Sequence, residues 1–395
     1  MNLTVEFCGI KFENPFVLAP SPFSDSLSLL EEALQAGWAG AVMKTVAVQS
    51  GNLSRVYPLV AGVEGEDGQF LAMENIDLIS EYPVNVVADR VRALKRRFPG
   101  KVISASIMAK QQEDWQSLAR RLAAAGADII ECSFACPHST DANLSIPEQE
   151  PAVTEQIAAW VKEAALGRPV VVKLSSQVPD ITTVAAAAIR GGADGVVAVN
   201  TLKSIGGVDL NTLIPLPNVG GMSSFGGLSG PAIKPVALRY TAEIAGKLDV
   251  DIAATGGITT WRDGVEFLLL GAKTLQVCTA VLRYGPGIIR GFTAGLQGWM
   301  QEKDFSGVSE LCGRSLPYLV DHTQLPRGIQ VIAQIRAAAC DCCLACDTAC
   351  RAGGHQAVIT NAGRSPTIDP GRCTGCGICR TVCRRKAVEM VRRVG

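Results

Sequence analysis

Aromatic side chains make up only 5% of the 395 residues, histidine occurs three times, and no apolar run approaches the length of a membrane span. An excess of charge of one sign is missing too. The 37 Lys and Arg balance 37 Asp and Glu, which argues against a chain built to hold nucleic acid or to lie on a membrane surface. With few rings, the core has to be filled by Ala, Val, Leu and Ile, the stock of closely packed α/β layers. The opening stretch "MNLTVEFCGIKF" lacks the charged, apolar and cleavage segments of a signal peptide, so a cytoplasmic setting is expected. In such a reducing setting the fourteen cysteines do not read as a disulfide framework. They are also unevenly spread: nine lie between Cys340 and Cys383, and five are scattered over the first 312 residues. The chain length suits one large domain followed by a small one.

The large part repeats one pattern. Eight apolar runs ("PFVLAPS", "AGAVMKTVA", "KVISASIMA", "ADIIECSFA", "PVVVKLSS", "ADGVVAVNT", "VDIAATGGI" and "KTLQVCTAV") are each followed by apolar residues at helical spacing. Continuous Val/Ile/Ala strands indicate burial on both faces, as in parallel sheets. Eight units over the first 300 residues predict a (β/α)8 barrel, with a doubly wound sheet as the competing arrangement. In a barrel, chemistry sits at the C-terminal strand ends. That rule selects Lys44 and Thr45, Cys136 and His138, Lys173, Asn200 and Thr201, Thr255 to Gly257, and Cys278 with Thr279. Two lysines inside apolar strands are costly without an anion or an electron-rich ring to meet them. The glycines after strand seven and the small residues after strand eight leave backbone N–H groups for a phosphate. A phosphate-bearing cofactor is the economical expectation, with residues 203–230 as a long loop over it, and basic residues beneath its ring would favour a flavin. Residues 301–338 read as a helical connector.

From 339 to 395 the cysteines carry the meaning. Two C-x2-C-x2-C-x3-C runs, Cys340, Cys343, Cys346, Cys350 and Cys373, Cys376, Cys379, Cys383, stand 33 residues apart. This is two-cluster ferredoxin spacing, in which the fourth Cys of each run ligates the other cluster. Two [4Fe–4S] clusters are therefore expected. Cys340, Cys343, Cys346 and Cys383 would hold one, and Cys373, Cys376, Cys379 and Cys350 the other. The proline that commonly follows the fourth Cys is replaced by Arg351 and Arg384, and Cys342 falls outside the frame as a structural thiol. The basic groups at 384–386 and 392–393 suit either charge balance or a docking face for an acidic redox partner.

Read together, "KFENPFVLA" (11–19), "MKT" (43–45), "ENIDLISE" (74–81), "SASIM" (104–108), "CPH" (136–138) and "KL" (173–174) resemble the dihydropyrimidine dehydrogenase catalytic region. So do "ADGVVAVNT" (193–201), "GGLSGPAIKPVALR" (226–239), "ATGGI" (254–258) and "LQVCTAV" (275–281). In that family a dihydroorotate-dehydrogenase-like FMN barrel is joined to a two-[4Fe–4S] ferredoxin domain of α+β type. The resemblance implies an oxidoreductase of pyrimidine catabolism acting on a CH–CH group. It implies FMN contacts from Ser21, Lys44, Thr45, Lys173, Gly230, Thr255, Gly256, Gly257, Cys278 and Thr279. It further implies substrate contacts from Asn75, Asn200 and Thr201, with Cys136 as the general acid/base.

One position departs from the family. "SFACPH" places Ser133 where the family has a substrate-binding Asn, and the following loop (139–150) is not glycine-rich. A hydroxyl reaches less far than an amide, so a heterocycle other than uracil or thymine is the alternative substrate. An electron-transfer subunit within a larger redox complex is the alternative of another class. No G-x-G-x-x-G lies between a strand and a helix. The expected partners are a small heterocyclic substrate and an FAD- and NAD(P)H-binding reductase subunit or a ferredoxin, in an oligomeric assembly.

Overall fold

The computed structural model describes residues 1–51, 54–134, 150–361 and 363–393. Two units result, Met1–Tyr318 and Leu319–Gly395. In the first, β1 (Phe16–Leu18), β2 (Gly40–Val46), β3 (Val102–Ile107), β4 (Ile129–Ser133), β5 (Val170–Leu174), β6 (Gly195–Ala198), β7 (Asp251–Thr255) and β8 (Thr274–Val277) close into a parallel barrel. Closure, with β8 paired to β1, removes the doubly wound alternative. Most of these strands are buried along their whole length, because helices cover the outer face and side chains fill the inner one.

The helices follow in step: α1 (Leu27–Ala36), α2 (Val84–Arg97), α3 (Gln112–Ala124), α4 (Pro151–Ala164), α5 (Ile181–Arg190), α6 (Lys234–Lys247), α7 (Trp261–Leu269), α8 (Thr279–Tyr284) and α9 (Ile289–Glu302). Local chemistry sets several starts. Asp180 accepts the Thr182 N–H at the head of α5, and Thr260 and Asp263 form a reciprocal capping box at the head of α7. An N-terminal hairpin, Val5–Phe7 with Ile10–Phe12, meets the start of β7, where the Cys8 N–H donates to Asp251.

Two excursions from the C-terminal end of the barrel meet in a second sheet. Val60–Glu64, Phe70–Asn75, Gly226–Ser229 and Leu202–Ser204 run antiparallel as its four strands. The expected long loop at 203–230 is therefore partly strand, paired to a segment some 150 residues earlier. That pairing fixes Asn75 opposite Gly227.

The second unit holds β9 (Val331–Ile335) paired with β12 (Val388–Arg392), and β10 (Val358–Asn361) paired with β11 (Arg364–Ile368). Two short helices, α10 (Ala345–Ala352) and α11 (Ile378–Thr381), carry Cys346, Cys350 and Cys379. The expected helical connector at 301–338 is divided. Its first part reaches Tyr318 within the barrel unit through 3-10 turns, and its last part supplies β9 of the second unit. Among the described residues no helix is long and apolar enough to cross a membrane.

Candidate active site

A cavity opens at the C-terminal end of the barrel strands, under the four-stranded sheet. Its floor comes from strand ends. Lys44, near the end of β2, is buried and ion-paired with buried Asp77, which follows the strand Phe70–Asn75. Next to it Thr45 shares a 2.9 Å hydroxyl–hydroxyl hydrogen bond with Ser106 of β3. Lys173, on β5, is also buried and lines the cavity, yet it has no acidic partner among the described residues. An ammonium group taken out of water without an anion is expensive, so this one marks where an electron-rich ligand belongs.

The opposite wall is made of backbone. Gly256 and Gly257 follow β7 with φ of +126° and +78°, a region that L side chains avoid. A Cβ on Gly257 would stand 2.7 Å from Lys234 Cβ and 2.8 Å from its backbone N. Lys234 begins α6, and its ammonium is held by Asp263 of α7 at 2.6 Å. Burial works to raise the Asp263 carboxyl, but hydrogen bonds from Lys234 and the Thr259 and Thr260 N–H groups outweigh it and hold the group below the usual carboxylate range. The ion pair thus pins two helix starts beside the glycines. Thr279 donates to Ser229 Oγ at 2.9 Å, and Ser229 donates to the Met73 carbonyl, which ties α8 to the overlying sheet. Cys278 lies between this wall and the two lysines; burial raises its thiol, and Lys173 and Lys44 oppose that rise.

Of the residues expected to meet a substrate, Asn75 donates its amide to the Gly227 carbonyl at 2.6 Å. Asn200 accepts the Thr201 N–H at 2.9 Å, and the Thr201 hydroxyl packs against Gly227. Ser133 ends β4, is 7% exposed, and pairs in register with Lys173. All four line the cavity, as do Ser21, Lys44, Thr45, Lys173, Gly230, Thr255, Gly256, Gly257, Cys278 and Thr279. Cys136 and His138 lie outside the described residues.

Two further cavity residues, Asp77 and Gln276, escape the sequence reading, as does Glu131, which Gln276 contacts. Asp77 stands inside the quoted "ENIDLISE", two residues beyond Asn75, and is the anion that Lys44 requires. Glu131 and Gln276 are buried inside the barrel, where Gln276 Nε2 donates to Glu131 at 3.0 Å. One oxygen of each side chain has no partner among the described residues. A charged residue two positions before the strand end, in an otherwise apolar run, is the signal that would have found Glu131.

In the second unit the cysteines separate into two cavities. Cys340, Cys343, Cys346 and Cys383 line one, together with Asp341 and Arg385. Cys350, Cys373, Cys376 and Cys379 line the other, beside His355 and Thr374. Backbone N–H groups of Ala357, Ala387 and Ala333 donate to the sulfurs of Cys350, Cys383 and Cys373 at 3.2 to 3.4 Å. Such bonds favour a thiolate and raise the potential of a cluster it ligates. Cys342, expected as a structural thiol, is exposed and offers its N–H to Cys340 Sγ.

A closed parallel barrel with a lysine-floored, glycine-walled cavity, followed by two four-cysteine cavities, defines a flavin- and iron–sulfur-dependent oxidoreductase. Residues 2–300 match the family described as dihydroorotate dehydrogenase, and 366–389 match a 4Fe-4S binding domain. The chain belongs to the dihydroorotate dehydrogenase family. It is 38% identical over 394 residues to the NAD-dependent dihydropyrimidine dehydrogenase subunit PreA of Escherichia coli (strain K12), covering 98% of this chain and 95% of that one. It is 32% identical over 338 residues to the chloroplastic dihydropyrimidine dehydrogenase (NADP(+)) of Arabidopsis thaliana, covering 82% and 79%. The catalytic subunit of dihydroorotate dehydrogenase B (NAD(+)) from Pyrococcus furiosus is 34% identical over 313 residues, covering 79% of this chain and 98% of its own. The chain is accordingly an oxidoreductase of CH–CH groups, with FMN and [4Fe–4S] clusters as its cofactors.

Proposed function

We propose that the chain is the catalytic FMN and iron–sulfur subunit of a dihydropyrimidine-dehydrogenase-like enzyme. It reduces, or in the reverse direction forms, a C=C bond in a pyrimidine-like cyclic amide. The observation that carries this reading is the cavity in which buried Lys173, without an acidic partner among the described residues, and a glycine wall face Asn75, Asn200 and Thr201. When bound, FMN supplies hydride transfer and the clusters supply electrons one at a time.

In this reading Lys44 and Lys173 would hold the ring, the former fixed in place by Asp77. Thr255, Gly256, Gly257, Cys278, Thr279 and Gly230 would take the phosphate end, and Ser21 and Thr45 would complete the contacts. Asn75 spends its amide N–H on Gly227, which leaves its oxygen to accept from a ring N–H of the substrate. Thr201 and Ser133 offer hydroxyls that donate or accept. Cys136 exchanges the proton at the carbon next to the one that exchanges hydride; a thiol with an ordinary pKa of about 8.5 is a workable donor near neutral pH. A redox protein of the FAD- and NAD(P)H-binding or ferredoxin class delivers the electrons, in an oligomer and in the cytoplasm, where thiolates stay reduced.

Protein purified without oxygen should contain one FMN and about eight iron atoms. Reduced chemically, it should be reoxidised by a member of a panel of pyrimidines and related cyclic imides. Zinc in place of iron, or no reoxidation across the panel, would defeat the reading.

Ser133 favours a second reading within the same chemistry. Its hydroxyl is buried beside Lys173, at a place where the resemblance leads one to expect an amide. An imperfectly paired polar edge costs about 1–3 kcal/mol, which is roughly 5- to 150-fold in affinity. Wild type should therefore handle uracil and thymine poorly, and Ser133→Asn should shift kcat/KM toward uracil. Equal efficiency of wild type on uracil and on every alternative would show the substitution to be neutral.

A further inference from the structure

The second unit carries eleven Lys and Arg against five Asp and Glu, while the barrel unit has the opposite balance, 26 against 32. Some of that excess offsets the charge of thiolate clusters, but its placement is uneven. A groove on the surface of this unit is lined by Arg336, Arg380, Lys386, Met390 and Cys383, with Glu389 as the acid among them. Arg336 is tied down by Glu389 at 2.8 Å and by the Lys386 carbonyl. Arg384 and Arg385, next to the groove, are answered by Asp341. Arg380 and Lys386 have no acidic partner among the described residues. Cys383 lines this groove and also the cavity that holds Cys340, Cys343 and Cys346. One residue therefore separates the cationic surface from the sulfurs of a cluster site.

We infer that this groove is the docking face of an acidic one-electron carrier protein, and that electrons enter the chain beside Cys383. The inference rests on the electron-accepting role proposed above. Cations without an acidic partner among the described residues steer an anionic surface toward the groove, and the short path through a ligand thiolate is what an encounter of that kind needs. Each encounter oxidises the carrier by one electron and reduces the chain by one. Two encounters and two protons, one carried with the hydride and one from the thiol, reduce one C=C to CH–CH.

The test uses the holoenzyme and an acidic plant-type [2Fe–2S] ferredoxin as probe. Calorimetry with the oxidised ferredoxin, without substrate, reads binding; stopped flow with the reduced ferredoxin reads electron entry. The Arg380→Glu, Lys386→Glu double variant should bind at least tenfold more weakly. It should take up electrons about 10- to 10³-fold more slowly at low salt, with the difference closing as salt rises. Reduction by the cationic methyl viologen radical should become faster in the same variant. If the variant has lost iron, Arg380→Gln with Lys386→Gln at full iron content should show the same directions at smaller size. Unchanged ferredoxin binding and unchanged salt dependence in an iron-replete variant would overturn the inference. Ferredoxin binding that obeys the charges, in a protein that no cyclic imide reoxidises, would instead defeat the proposed reaction and leave the docking face standing.

Discussion

Replacing Cys136 with alanine is expected to leave FMN and iron in place while slowing substrate turnover by roughly 10²–10⁴-fold, the scale of a lost general acid. The size follows from what hydride transfer cannot do alone. Adding hydride to one carbon of an activated C=C leaves negative charge at its neighbour, and that carbon must collect a proton in the same site. Two other thiols in the barrel serve as internal controls. Cys132 sits four residues earlier, is fully buried in β4, and has its thiol pushed far up by burial and by the neighbouring Glu131. Cys132→Ala should therefore leave turnover near normal. Cys278 lines the cavity, and its thiol is raised by the same physics. If Cys136→Ala turns over normally and Cys278→Ala does not, proton transfer belongs to Cys278. Retention of both cofactors, read from the visible spectrum and from iron analysis, separates a chemical defect from a folding one.

How far this site was legible depends on how its residues are held. The eight strands announce themselves because both faces are buried, so each is a predominantly apolar run. The polar residues at their ends stand out against that background, which is why Lys44, Lys173 and Thr255 to Gly257 could be selected by position alone. The four-stranded sheet over the cavity could not. Its strands are short and glycine-containing, and its pairings join Met73–Asn75 to Gly227–Ser229 across some 150 residues. No local pattern encodes such a partner. Asp77 was hidden for the same reason: the sequence shows an acid after Asn75, while only the folded chain shows Lys44 beneath it. The two lysines thus look alike in sequence and differ in the structure: among the described residues Lys44 has an acidic partner and Lys173 has none. That difference, more than their shared presence, points to a ligand.

The glycine wall leads to the other large effect. Gly257→Val is expected to weaken FMN binding by roughly 30- to several-thousand-fold. At φ +78° a β-branched residue carries about 1–2 kcal/mol of backbone strain. Its Cβ would also stand 2.8 Å from the Lys234 backbone nitrogen, and overpacking against an element that cannot swing aside costs about 1–3 kcal/mol more. Lys234 is such an element, since Asp263 and the Glu266 carboxylate hold its ammonium in place. If the FMN phosphate rests on this turn, as proposed above, the strain would have to be borne when the loop closes around it and is expected as lost affinity, at 1.4 kcal/mol per tenfold. Gly167 provides the control. Its φ is +77°, nearly the same, but nothing lies within 4 Å of the Cβ it would gain, and it stands between α4 and β5, at the other end of the strands. Gly167→Val should lower thermal stability modestly and leave flavin content unchanged. Reconstitution of deflavinated protein with FMN, followed by fluorescence quenching, measures both. If Gly257→Val binds FMN as tightly as wild type does, the phosphate does not rest against this turn, and the cavity's anionic end has to be sought elsewhere.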